Sequence, residues 1–252
     1  MNRHPIKRLI LFGAGASHGS VAVSPKPPPL AAGLYAELAR DFPRWANIHP
    51  ELKSAFESDF EDGMGRLWAS GDGHPERTSG IAGFMHDMAR HFARFSATDG
   101  NVYVRLIEAV ERAGKFDGTV FASLNYECIL EQSLERCSKL VRYFEEAASA
   151  GNAAACWKLH GSCNFVPEQE VRITGIAMPR DAPLGLKITA IDYRAVEGHC
   201  DGQQGHLSAF DSPLAPTMSV FMRGKPVLFS PPEIRRLQSW WANAVLRAEV
   251  WA

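Results

Sequence analysis

The sequence predicts an α/β fold, a Rossmann-like parallel sheet with helical insertions. Two observations predict it. Aliphatic runs at residues 7–12, 119–124 and 154–159 each read as a short buried strand. Helical periodicity fills the stretches between them, and strand, helix and strand in that order build βαβ units.

The first run, 7–12, ends in glycine. Residues 13–29 are rich in Gly, Ser and Pro and read as one long loop, of the kind that is more often functional than idle. Pro28 and Pro29 then open a helix with Leu30, Leu34 and Leu38 on one face. Residues 48–75 are acidic and glycine-containing; a helix over 51–60 followed by a loose segment is expected. Ile81, Phe84, Met85, Met88, Ala89, Phe92 and Phe95 recur at helical spacing and form a core-facing stripe. Val102, Leu106, Ile107 and Val110 continue it in a second helix that Gly114 closes.

After the strand at 119–124, residues 126–137 read as a helix with Ile129, Leu130 and Leu134 inward. The strand at 154–159 stops at His160 and Gly161. Residues 165–230 carry many Pro and Gly around short apolar pieces at 171–176 and 226–229, and read as an irregular subdomain. Pro231 and Pro232 begin a last helix, with Ile234, Leu237, Trp241 and Val245 on one face. The chain stops just after it, where an open sheet takes another strand. The sheet is therefore expected to be closed differently or to lack its last strands, as in a truncated chain, and truncation is the reading preferred.

With 252 residues, the chain suits one large domain or two small ones. We read a single domain over 1–252, with a helical insert at about 45–100 and the irregular subdomain at about 165–230. Hydrophobic residues make up 46% and charged residues 22%, which excludes a disordered or collagen-like chain. The net charge is −1 and neither half is biased, so composition gives no reason to expect nucleic acid or an anionic membrane as partner. No apolar run is long enough to span a bilayer, and residues 9–12 are too short for a signal core; a cytoplasmic protein is expected. The five cysteines (Cys128, Cys137, Cys156, Cys163, Cys200) are odd in number and contain no CxxC pair, which predicts reduced thiols and no zinc module.

Three strand ends carry candidate chemistry. Gly13, Ala14, Gly15, Ala16 and Ser17 follow the first strand; glycines there let the backbone turn tightly and approach a pyrophosphate. The G-x-G-x-x-G fingerprint is broken, since position 18 is His and Gly19 comes one place late, which disfavours a hydride-transferring dehydrogenase. Asn125 and Glu127 follow the second strand, where an amide can donate and accept; a helix-capping Asn125 is the plainer alternative. His160 follows the third strand and can take a proton from a hydroxyl or water; a structural His is the plainer alternative. Lesser candidates are His18 as a phosphate contact, Ser17 as a nucleophile without its usual elbow, His199, Cys200 and His206 as metal ligands, and Trp240 beside Trp241 as an aromatic patch. Each reads more simply as loop or core.

Taken together, LILFGAGAS (9–17), FASLNYE (121–127) and WKLHGS (157–162) resemble the SIR2 (sirtuin-like) family, and most of all its bacterial SIR2-like domains, over roughly residues 6–165. The resemblance implies NAD as substrate, no metal, and cleavage of the nicotinamide–ribose bond through an oxocarbenium-like transition state. It implies that Gly13, Ala14, Gly15, Ala16, Ser17 and Glu127 bind the dinucleotide. It implies that Asn125 orients ribose or an attacking water and that His160 is the general base. The four-cysteine zinc module and the Pro-Asp-Phe-Arg stretch of the protein-deacylating members are missing, Leu124 replaces their Gln, and Glu127 replaces their Asp. The expectation is thus an NAD hydrolase, in bacterial relatives an antiphage defence effector working with a sensor protein or fused module, with self-association open. The alternatives are a non-catalytic NAD- or ADP-ribose-binding module and, behind it, an NAD-dependent protein deacylase.

Overall fold

The computed structural model describes residues 5–71, 75–170, 185–205, 215–224 and 232–252. The N-terminal half runs β1 (Arg8–Phe12), α1 (Ala14–His18), β2 (Val23–Ser24), α2 (Ala31–Asp41), α3 (Pro43–Ala46), α4 (Pro50–Ser58), α5 (Phe60–Gly71), α6 (Pro75–Ala93), β3 (Ser96–Ala97) and α7 (Val102–Arg112). It continues with β4 (Thr119–Ser123), α8 (Ile129–Arg136), β5 (Leu140–Arg142), β6 (Ala153–Lys158), β7 (Phe165–Glu170) and β8 (Gly185–Ala190). A 3₁₀ turn at Tyr193–Ala195, α9 (Val196–Gly205), α10 (Pro232–Val245) and β9 (Glu249–Trp251) complete the order.

The central sheet is parallel throughout, in the order β5-β6-β4-β1-β9, with helices against it: the fold is α/β and Rossmann-like. Side chains alternate across a strand, so β1, β4 and β6 each feed two cores. Ile10, Phe12, Phe121, Ala154 and Cys156 meet α2, α6, α7 and α8 on one face. Leu9, Val120, Ala122, Ala155 and Trp157 meet Phe165 and Ile188 of β7 and β8, and Ile234 and Leu237 of α10, on the other. Strands covered on both faces read as continuous apolar runs, which is why they were legible. Each fully buried side chain of the size of Phe121 contributes about 1.5–3 kcal/mol.

Several expectations are corrected. Residues 13–29 are not one loop, because α1 starts directly after Gly13 and β2 pairs with β3. Leu30 is not on the inward face of α2: it is the exposed N-cap, and Tyr35 joins Leu34 and Leu38 inside. The segment after residue 60 is not loose but helical as α5, whose Phe60, Met64 and Leu67 are buried at spacings of four and three. On α7, Ile107 and Val110 are buried as expected and Leu106 packs half-buried against the same core, but Val102 is exposed and Tyr103 takes its place inside. Gly114 does follow the helix end, at φ +66°, with Gly114 N donating to Glu111 O and Lys115 N to Val110 O.

The C-terminal part also differs. Residues 165–170 and 185–190 form an antiparallel pair, so the stretch is less irregular than its Pro and Gly content suggests. The apolar pieces at 171–176 and 226–229 lie outside the described residues. Val245 is exposed, while Trp241 is partly buried and Trp240 packs on Trp157 with ring centroids 6.0 Å apart. A strand does follow the last helix: β9 pairs in parallel with β1, Arg8 opposite Glu249. Only three residues long, it has no periodicity to read.

Candidate active site

β1, β4 and β6 end side by side, and the three candidate segments leave from those ends. Ligands bind outside the carboxyl ends of strands in open α/β sheets. Here the ends border a cleft of about 280 Å³, near the lower bound for small-molecule sites. Gly13, the N-cap of α1, and Ala14 and Ser17 of α1 line it on one side, Leu124 to Glu127 from the turn after β4, and His160 from the turn after β6. Pro28, Pro29, Ala31, Leu34, Phe92 and Phe221 supply an apolar wall. Gly15 and Ala16, also candidates, are exposed on α1 and stand outside this lining.

Asn125 does not cap α8; Cys128 does. The Asn125 side chain instead reaches β1's end, where Nδ2 donates to Gly13 O at 3.1 Å and to Ser17 Oγ at 2.9 Å. A carbonyl only accepts, so the atom facing Gly13 is the amide nitrogen. Both amide protons are spent inside the protein, and Oδ1 is the atom left to offer the cleft. Ser17 is buried and its hydroxyl donates to Glu127 Oε1. Its single proton being used there, the Tyr103 hydroxyl 2.7 Å away is the donor to Ser17. Burial first, and the Glu127 charge second, push the Tyr103 phenol well up, so it remains a donor. Ser17 thus has full hydrogen-bonding valence and no role left as a nucleophile.

Glu127 is 3% exposed, and its second oxygen accepts from Ile129 N at 3.3 Å, which ties the carboxylate to the start of α8. Beneath it lies Lys158, with no exposed surface. Alternation along β6 turns Lys158 to the same face as Ala154 and Cys156, toward α8. Its Nζ donates to Glu127 O at 2.5 Å and pairs with Glu131 Oε1 at 3.0 Å. Burial presses the ammonium's pKa down, but the carboxylates of Glu131 and Glu127 outweigh it and raise the pKa, so Lys158 is charged. Burial likewise raises the Glu131 carboxyl, with Lys158 opposing.

The turn after β6 depends on Gly161. Its φ is +78°, and a Cβ there would lie 1.9 Å from Thr217 O. The close approach lets Ser162 N donate to Thr217 O at 3.1 Å and Ser219 N to His160 O at 2.7 Å. Tyr126 OH donates to Ser219 O at 2.9 Å, so residues 217–221 are seated and Phe221 reaches the cleft wall. Gly13 is the opposite case. Its φ of −110° is open to any residue, and no protein atom lies within 4 Å of where its Cβ would be. Nothing in the fold requires glycine there; the space beside it belongs to the cleft, which fits a ligand passing close to the backbone.

Of the lesser candidates, His18 bonds Pro28 O at 2.9 Å and does not line the cleft. Cys200 is buried, and His206 lies outside the described residues. Among the described residues no group of three or more His, Cys, Asp or Glu gathers to hold a metal. The five cysteines are free thiols, with Cys128 and Cys163 Sγ 3.7 Å apart. No described helix is long and apolar enough to cross a membrane.

Tyr103, Glu131, Phe92 and Phe221 were not singled out as site residues. Phe92 reads as a core position of an amphipathic helix, Tyr103 lies beside the apolar stripe expected on α7, and Phe221 comes from a stretch with no periodicity. Lys158 lies within WKLHGS (157–162), but a lysine in a strand carries no local sign of burial. Neither a protein-family model nor a curated protein matches the chain.

Proposed function

We propose that the chain hydrolyses NAD at the nicotinamide–ribose bond, as SIR2-type hydrolases do. The observation that carries the reading is the state of Asn125: both its amide protons are bound within the protein, so it meets a ligand with an acceptor oxygen, in one cleft with His160 and the Glu127 carboxylate. An acceptor suits a water or a ribose hydroxyl, both of which donate.

In this reading the C1′–N bond breaks and its electron pair stays on the ring nitrogen, so cationic nicotinamide leaves neutral. Water bonds C1′ and its proton goes to His160 and then to solvent, giving ADP-ribose. Asn125 Oδ1 orients the water or the ribose, a gain in positioning rather than in chemistry. A buried carboxylate beside a developing cation favours the transition state over the ground state. The open backbone at Gly13 and Ala14 takes the dinucleotide. Extension to NAD depletion as a defence effector follows from the resemblance alone.

The test is direct. The purified chain is incubated with NAD, and nicotinamide and ADP-ribose are quantified by chromatography, alongside Asn125→Ala and His160→Ala. Release that both substitutions abolish supports the hydrolase. NAD binding without release would favour the non-catalytic binding module, and neither binding nor release would overturn the NAD reading.

A further inference from the structure

Lys158 is an expensive residue. Its ammonium has no exposed surface, and it sits at the start of α8, where the helix dipole disfavours a cation. Its neutralising partner is also unsatisfied: Glu131 is 3% exposed, and its Oε2 has no hydrogen-bond partner among the described residues. A well-packed apolar pair would serve the core as well or better.

What an apolar pair cannot do is hold a carbonyl. Lys158 Nζ binds the main-chain oxygen of Glu127, in the middle of the turn that carries Asn125 and Glu127. Lys158 is itself the last residue of β6, two before His160, and its backbone is registered opposite Ser123, the last residue of β4. One cation therefore connects the turn of one candidate group to the strand of the other. Resting on the hydrolase reading, we propose that Lys158, held by Glu131, is a positioning residue that fixes the 125–128 turn against the β6 end, keeping Asn125 and Glu127 in place relative to His160.

The experiment compares the wild-type chain with Lys158→Met/Glu131→Leu and with Glu131→Gln. The double variant replaces the buried pair by apolar groups of similar size, so its melting temperature tests the fold separately. Glu131→Gln keeps an acceptor for Lys158 while removing the charge. Positioning predicts that the double variant folds, that its kcat for nicotinamide release falls about 10- to 100-fold with KM within about threefold, and that Glu131→Gln stays within about threefold of wild type. A folded double variant with wild-type kcat would overturn the proposal. So would a Glu131→Gln variant that melts like wild type yet is as impaired as the double one, because charge rather than position would then be responsible.

A readout independent of turnover is the Asn125 side-chain amide in nitrogen-15 NMR, assigned through Asn125→Ala. Its two protons, both bonded in the wild type, should exchange slowly, and should exchange faster in the double variant. If the double variant does not fold, the same comparison of Glu131→Gln with wild type decides, and a shifted, fast-exchanging amide there counts against the proposal. If wild type releases no nicotinamide, the hydrolase reading fails, and the amide signal still tells whether Lys158 holds the turn; an unmoved signal would overturn it.

Discussion

The Asn125 side chain donates to Gly13 O at 3.1 Å and so joins the end of β4 to the end of β1 across 112 residues of sequence. The bond fixes which end of the amide meets a ligand. Asn125→Asp makes the opposite arrangement: a carboxylate would face the Gly13 carbonyl, and two donors would be lost. Nicotinamide release is expected to fall at least ~100-fold, with a melting temperature lower by about 4–8 °C. Chromatographic NAD turnover and calorimetry check the pair of effects; a variant with wild-type turnover would show that the amide protons are not what matters.

Gly161, in the turn after β6, and Gly13, in the cleft lining, should respond in opposite ways to the same substitution. At Gly161 an added Cβ meets Thr217 O at 1.9 Å and the backbone is left-handed, so Gly161→Ala should cost more than about 3 kcal/mol in urea unfolding. At Gly13 the Cβ meets no protein atom, so Gly13→Ala should leave the unfolding midpoint unchanged while weakening dinucleotide binding at least ~10-fold. Equal destabilisation at both positions would mean that the open space beside Gly13 is not ligand space.

Ser17 should matter more than Tyr103, although the two share one hydrogen bond. Ser17→Ala strands the Tyr103 hydroxyl, an Asn125 amide proton and Glu127 Oε1 in a buried place, at a cost of about 2–4 kcal/mol. Tyr103→Phe removes one donor and leaves Ser17 still bonded to Asn125 and Glu127, at about 1 kcal/mol. Denaturant titrations of both variants rank them, and the reverse order would break the assigned proton directions.

The strands and the three strand-end segments were legible because each is a local pattern: an unbroken apolar run, then small or polar residues at a fixed offset. That Gly13, Asn125, Glu127 and His160 share a cleft followed from parallel order alone. What stayed hidden is set by partners distant in sequence. Tyr103 meets Ser17 across 86 residues, and nothing near it distinguishes a hydroxyl with a task from an aromatic core position. The exchange of Val102 for Tyr103 at the start of α7 has the same origin. Val102 is more apolar than Tyr103, and only the packing against Phe12, whose ring lies 4.9 Å from that of Tyr103, decides which of the two is inside. Strand β9 was missed because three residues cannot show a period; its pairing is chosen by the open edge of β1.

His91 gives the molecule an acid-sensitive core. It is 2% exposed on α6, and burial lowers its pKa from 6.5 to about 4. Glu37, with its carboxylate 3.7 Å from Nε2, and Asp41 oppose that shift, while Arg94 and Lys26 reinforce it. The folded protein therefore prefers the neutral ring, and the unfolded chain binds the proton more readily. The associated stability is present above pH 6.5 and is lost as pH falls toward 4. Between pH 7 and 4.5 the loss through this one residue is about 2 kcal/mol. His91→Gln has no proton to bind, so its unfolding free energy should fall by about 2 kcal/mol less than that of wild type over the same interval. Urea titrations of both proteins at the two pH values measure the difference. Parallel pH slopes would mean that His91⁺ is accommodated in the fold by Glu37 and Asp41, and that the acid sensitivity lies elsewhere.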